Sequence, residues 1–178
     1  KDSYRALLSN IKKILDQSGV DAKQIRAITL DGATHTSVLL DEHDEPVRPA
    51  IYWTDRRATR EAAYLVEHYN DRLMELSYNA PSPLWTLPQI MWVREHEPEN
   101  FKRISKILFM KDYVRYRLNR DFATDSIEAM GCMFLDARTN TWSKELCALA
   151  GIEPDMLPRV VEPHDVLAPL TDEACRET

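Results

Sequence analysis

Glycine is scarce in this chain: four residues in 178, at positions 19, 32, 131 and 151, each standing alone. A loop that cradles phosphate needs clustered glycines, so neither a dinucleotide fingerprint nor a Walker loop can be drawn through them. Cysteine is as sparse. Cys132, Cys147 and Cys175 are an odd number at wide spacing, which excludes a disulfide framework and a paired-thiol metal site. Thiols serving as small apolar groups in a reducing cytoplasm are the expectation. The five histidines, at 35, 43, 68, 96 and 164, never fall at the spacing of zinc ligands. No serine stands in a nucleophile-elbow context. No apolar run approaches the ~20 residues of a membrane helix, and the opening Lys1-Asp2-Ser3 has no secretory pattern. Basic charge is lacking too. Net charge is −6, without a Lys/Arg cluster, so neither nucleic acid nor a membrane is expected as a partner.

What is present reads as globular. Hydrophobic residues make up 44% and charged residues 29%, the profile of a packed domain rather than a disordered chain. The length suits one domain over residues 1–178, with no linker or repeat to divide it. Tyr4, Leu7, Leu8, Ile11, Ile14 and Leu15 recur at helical steps, predicting a helix over 3–16 that Gly19 ends. Strands are predicted at Ile25–Leu30, Ser37–Leu40 and Val47–Trp53, the last two joined by a polar hairpin loop. Thr54 or Asp55 can cap a helix to about Tyr69, with a second short helix from Asp71. Further helices are expected over Leu87–Glu95, from Pro98, over Lys111–Leu118, and from a Ser143 cap to Ala150 before Gly151. Short strands fit Ile107–Met110 and Met133–Leu135. Alternating strands and helices place the chain in the α/β class. Acid pairs such as Asp41-Glu42 or Glu95 with Glu97 fall at loops and helix ends and read as solvated charge. Both ends look cut, since the chain opens on a helix and closes on the start of another at Thr171-Asp172-Glu173-Ala174.

Three segments carry more. Ile28–Asp41 holds Asp31-Gly32-Ala33-Thr34-His35-Thr36 before an apolar strand. Arg48–Arg57 reads Arg-Pro-Ala-Ile-Tyr-Trp-Thr-Asp-Arg-Arg. Pro88–Glu99 is followed by Ile107–Leu118, then by Ala123-Thr124-Asp125-Ser126 and Leu135-Asp136 with Trp142-Ser143. In this order and spacing, over about residues 20 to 170, the chain resembles the FGGY family of carbohydrate kinases, xylulokinase-like members especially. The resemblance implies an internal piece of the family's N-terminal, sugar-binding domain. Its fold would be α/β, the actin-like ATPase (ribonuclease H-like) type, partial, with a helical insertion. The family's phosphate-contacting Asp-Gly-Thr turn would lie before Lys1, and its catalytic base Asp beyond Thr178. The segment would then hold neither ATP nor Mg²⁺ itself and would be inactive alone.

Carried over residue by residue, Thr34 and His35 match the pair that contacts sugar hydroxyls. A turn at Gly32 at a strand's carboxyl end is where open α/β sheets bind ligands, and neutral imidazole can both donate and accept. The plainer alternative has His35 bonding a backbone carbonyl. Trp53 matches an aromatic that glycerol-kinase-like members lay against the substrate's carbons, or it is ordinary core. Asp55 accepts from a sugar hydroxyl, accepts from Arg57, or caps the next helix. Ser126 stands where some relatives carry a substrate-contacting Tyr. The chain departs from the pattern at Ala33, Thr34, Thr36 and Gln89, so a pentulose is the first expectation among ketoses and polyols. The implied reaction moves the γ-phosphoryl of ATP to a sugar hydroxyl, mostly by positioning, and such orientation can be worth ~7–11 kcal/mol. The competing reading is a non-catalytic actin-like sugar-binding or regulatory module. A homodimer is one open assembly state.

Overall fold

The computed structural model describes residues 2–178. The first helix, α1 (Asp2–Ser18), follows the apolar periodicity, and Gly19 ends it at φ 64 with its N–H donating to the Leu15 carbonyl. That left-handed position is one glycine adopts without penalty. The expected strand at Ile25–Leu30 does not form. The segment is irregular, with Ile25 and Ile28 largely exposed. An apolar run becomes a strand only where a neighbour bonds its backbone, and among the described residues no strand pairs with it.

Two strands form the centre. β1 (Ser37–Leu40) pairs antiparallel with β2 (Lys106–Phe109), Ser37 opposite Phe109 and Leu40 opposite Lys106. All four residues of β1 are buried, because both faces are covered. Successive side chains point to opposite faces. Leu39, Ile107 and Phe109 enter one cluster with Leu65, Ile90 and Phe134, while Val38, Leu40 and Leu108 enter another with Tyr113 and Tyr116. The hairpin after β1 forms, its Val47 N–H donating to Leu39. The expected strand Val47–Trp53 is reduced to isolated bridges at Pro46 and Ile51. Pro46 and Pro49 lack the N–H that a continuous ladder needs.

Helices pack on the first face. α2 (Thr59–Ser77) is one long helix, not the two expected around residues 69–71, and Ala58 rather than Thr54 or Asp55 precedes it. Leu65, Leu73 and Leu76 keep one buried face through the polar Asn70-Asp71 step, and that tertiary burial overrides the local break signal. α3 (Thr86–His96) and α4 (Pro98–Phe101) follow as the sequence suggests.

α5 (Met110–Asn119) covers the second face directly after β2. β3 (Ala123–Asp125) leads into α6 (Ser126–Gly131), a helix the sequence reading did not include. β4 (Leu135–Asp136) and β5 (Thr141–Trp142) make a small hairpin, displaced from the strand expected at Met133. α7 (Lys144–Ala150) has the Ser143 cap and the Gly151 stop, the hydroxyl accepting from Leu146 N–H. β6 (Arg159–Val161) joins β3 in parallel, and α8 (Asp172–Glu177) is capped by Thr171. Tyr4 donates to Glu177 at 2.6 Å, tying α1 to α8. Cys132 and Cys147 are buried free thiols, and Cys175 is exposed. No described helix is long and apolar enough to cross a membrane.

Candidate functional site

The antiparallel pairing brings several ends together. The amino end of β1 lies beside the carboxyl end of β2, and the chain there enters α5, while β3 delivers the start of α6 to the same place. His35 therefore sits at the amino end of β1, not at the carboxyl end of a preceding strand as the sequence suggested. Gly32 passes close to this cluster: a Cβ there would stand 3.3 Å from the Cβ of Lys111.

His35 is held in an unusual state. Its φ is 55, a left-handed conformation uncommon outside glycine and worth noting at a ligand site. Its backbone N–H donates to Glu128 Oε1 at 2.7 Å, which fixes that conformation. The ring meets Trp85 edge to face, centroids 4.7 Å apart. It also lies directly on Gly131, where a Cβ would come within 1.7 Å of His35 Cε1. His35 Nδ1 is buried without a hydrogen-bond partner, so the backbone-carbonyl alternative does not hold for that nitrogen. Burial pushes the imidazole below its usual pKa. Its Nδ1 is 3.9 Å from Glu128 Oε1, but a neutral ring makes this no ion pair.

Glu128, in the first turn of α6, was not singled out by sequence. The Asp125-x-x-Glu128 spacing was its available signal, since it marks a helix start. Asp125 caps α6 by accepting from the N–H groups of Ile127 and Glu128. The Glu128 side chain instead reaches back to His35. It is 1% exposed, and its Oε2 has no partner. Burial pushes its carboxyl up to about 7, against the opposing pull of the His35 N–H and Lys111.

Beside this pair lies a satisfied network. Asp112, fully buried, accepts from Thr124 at 2.6 Å, Arg115 at 2.8 Å and Lys111 at 3.0 Å. Lys111 also donates to Asp125 at 2.6 Å. Burial alone would lower the Lys111 ammonium, but Asp112 and Asp125 outweigh it and hold it above its usual range.

The remaining predicted residues are placed as follows. Thr34 is exposed within the turn. An antiparallel bridge joins Ser37 to Ile51, so the chain before Ser37 runs alongside the chain after Ile51, which carries Trp53. Trp53 is 41% exposed, which excludes ordinary core. Its ring partner is Tyr52, whereas that of His35 is Trp85. Asp55 does not cap α2. Its carboxylate accepts from Arg57 Nε, Nη2 and backbone N–H at 3.0, 2.7 and 2.9 Å. That clasp holds its pKa below the usual range. Ser126 opens α6 next to the Asp125 cap.

A neutral imidazole, a buried carboxyl and a flanking indole stand together here, on a backbone with no room for another side chain. The chain belongs to the FGGY family of carbohydrate kinases: the family's N-terminal domain matches residues 2–178. It is 34% identical over its whole length to the xylulose kinase of Bacillus subtilis, of which it spans 36%. The crystal structure of a protein from Brucella ovis described as a xyloylose kinase superposes with a TM-score of 0.89. That protein is 32% identical, over 94% of this chain and 34% of its own. A gluconate kinase from Lactobacillus acidophilus shares the fold at a TM-score of 0.88 and 22% identity, over 98% of this chain and 36% of its own. The chain thus has the actin-like kinase fold and spans about a third of the length of these relatives.

Proposed function

We propose that this chain is the sugar-positioning part, folded as one unit, of a kinase that phosphorylates a pentulose with ATP. The observation that carries the proposal is the pair of buried, unpartnered polar atoms, His35 Nδ1 and Glu128 Oε2. Buried polar groups are nearly always bonded, and a ligand hydroxyl would satisfy both. The neutral imidazole offers a donor and an acceptor, and a Glu128 that titrates near neutrality can also do either. Trp85 walls the ring, and Trp53 offers an indole face to the C–H side of a sugar. Thr34 supplies a hydroxyl at the mouth. We assign Asp55 a supporting role through Arg57, which its carboxylate already holds, and Ser126 a place at the start of α6 beside the Asp125 cap.

The same cluster fits a polyol better than a hydrated Mg²⁺. Asp112 and Asp125 are already engaged by Lys111, and Asp112 also by Arg115 and Thr124. Glu128 alone keeps a free oxygen. We therefore assign this chain orientation of the acceptor and no metal ligand near His35. Xylulose kinases among its relatives favour a pentulose, while the shared fold of a gluconate kinase makes the sugar a matter for assay. Buried free thiols suit a reducing cytoplasm.

The test is a coupled assay of ADP formation by the full-length protein against pentuloses, hexuloses and polyols. A sugar-dependent rate is expected, greatest with a pentulose. His35→Ala should lower kcat/KM at least tenfold, about 1.4 kcal/mol of transition-state stabilisation. A change below twofold removes His35 from the site. Sugar binding without any ADP formation would favour the non-catalytic module instead.

A further inference from the structure

Glu61 presents a second buried carboxylate without a partner, away from the sugar hollow. It is 4% exposed, and neither Oε1 nor Oε2 has a hydrogen bond. A buried polar group left without a partner is a costly feature for a fold to retain. Its place in the first turn of α2 gives it the favourable end of that helix's dipole, a modest compensation. Its charged neighbours do not complete it. Arg94 donates to the Leu149 carbonyl at 3.1 Å, and Arg60, 80% exposed, stands 3.8 Å from Glu95 instead. His96 Nδ1 is 4.0 Å from Glu61 Oε1, too far for a bond.

We infer that Glu61, Glu95 and His96 together bind one divalent cation of the zinc class, stapling the first turn of α2 to the last turn of α3. One ligand atom from each lies within 4.8 Å of the other two. Ligands at ~2.0–2.1 Å from a tetrahedral zinc stand roughly 3.3 Å apart, so closure asks each for about an ångström. Glu95 and His96, 54% and 37% exposed, lie at the surface, and closure on the ion has to be made against the Arg60 contact of Glu95 and the 3.1 Å hydrogen bond between His96 Nδ1 and the Trp92 carbonyl. One imidazole with two carboxylates suits zinc and its first-row neighbours, whereas calcium and magnesium favour oxygen alone. An adjoining cleft of about 420 Å³, lined in part by Glu61, Glu95 and Tyr64, admits the hydrated ion and leaves room for water as a fourth ligand. Sequence spacing hid the site because its ligands come from two helices. The cation also braces what lies beyond it. The His96 ring stacks on Trp92 at 4.7 Å, Trp92 carries the Arg57 guanidinium at 4.8 Å, and Arg57 clasps Asp55.

The test is calorimetric titration of the chelator-stripped, full-length protein with zinc chloride, nucleotide absent, and magnesium chloride as comparison. One saturable zinc equivalent is expected, weakened at least tenfold in Glu95→Gln and His96→Gln. Both residues are exposed enough for their variants to fold. The cobalt-loaded protein should show visible absorption that those variants lose, and zinc should raise the melting temperature of the parent alone. His68→Gln, changing an exposed histidine elsewhere on α2, should bind as the parent does. Glu61→Gln should lose the zinc response while melting no lower than the stripped parent, since neither carboxyl oxygen has a hydrogen bond to lose. No saturable zinc binding, or equal binding in every variant, overturns the inference. So does a Glu61→Gln protein markedly less stable than the stripped parent.

Discussion

Asp112 and Glu128 lie in neighbouring parts of one cluster, both essentially out of solvent at 0% and 1% exposed, yet they are equipped in opposite ways. Asp112 has three donors on its two oxygens. Glu128 accepts one backbone N–H on one oxygen and nothing on the other. A buried carboxylate surrounded by donors belongs to the scaffold, because its loss would cost every partner a bond and leave the Thr124 hydroxyl without its acceptor. One left half-satisfied is a vacancy in the bonding pattern that a ligand hydroxyl can fill. The difference separates the residues that build the hollow from those that use it.

The largest effect that could break this contrast is on Asp112. Asp112→Ala would leave the Lys111 and Arg115 charges facing an emptied site and strip Thr124 of its acceptor. Removing one partner of such a buried network costs about 3–5 kcal/mol, so urea denaturation of the full-length protein should show a loss of that order. A loss under 1 kcal/mol would mean the network is not the scaffold described.

Glu128 should behave differently, through pH. Its carboxyl is raised from 4.5 to about 7 in the folded chain, so the folded state holds the proton more tightly than the unfolded one. The stability this contributes is full below about pH 4.5 and is lost as pH climbs through 7, roughly 3 kcal/mol in all by linkage. Glu128→Gln keeps an acceptor for the His35 N–H and removes the titration. The variant should match the parent near pH 5 and exceed it at pH 8 in denaturant resistance, while binding sugar less well. Parallel stability profiles would show that Glu128 is not held near neutrality by burial.

Gly131→Ala probes the hollow from its floor. The added methyl would stand 1.7 Å from His35 Cε1, so the imidazole must move or the backbone must shift. Overpacking of this kind costs about 1–3 kcal/mol. The sharper readout is kinetic, a fall in kcat/KM through a raised sugar KM, of the order expected for His35→Ala. Unchanged KM would mean that the position of the ring does not matter to the ligand.

How much of this was written in the sequence differs by element. The helices of α1, α3, α5 and α7 followed from apolar spacing and from caps such as Ser143 and Gly151, which act over a few residues. Ile25–Leu30 failed because strand formation depends on a neighbour that spacing does not reveal. Residues 59–77 ran as one helix because the burial of Leu73 and Leu76 outweighed a local break signal. In the candidate site, His35 and its turn were legible through resemblance. Glu128, Trp85 and Gly131 were not, because each matters only through a contact 50 or more residues away in the chain. For Asp55 the sequence left a sugar contact, an Arg57 contact and a helix cap open, since the same side chain suits each role, and geometry shows Arg57 taking it.

The smallest effect sharpens the comparison by separating satisfaction from burial. Glu97 is as well supplied as Asp112: it accepts from Arg48 Nε at 2.8 Å, Arg48 Nη2 at 3.2 Å and Asn100 at 2.9 Å. Its side chain is 24% exposed, against 7% for Arg48, so water reaches the pair from the carboxylate side. Exposed or half-exposed ion pairs typically contribute 0.2–1 kcal/mol, near the upper end where the arginine is bidentate. A double-mutant cycle with Arg48→Met and Glu97→Gln should therefore give a coupling of about 1 kcal/mol or less, read by denaturation at low and high salt. If Glu97 and Asp112 proved equally costly to remove, the number of donors alone would set the cost. The distinction between scaffold and vacancy drawn for Asp112 and Glu128 would then have to rest on bond count without burial. A small coupling that shrinks with salt would instead confirm that the low-dielectric surroundings of the hollow give an unfilled oxygen its significance.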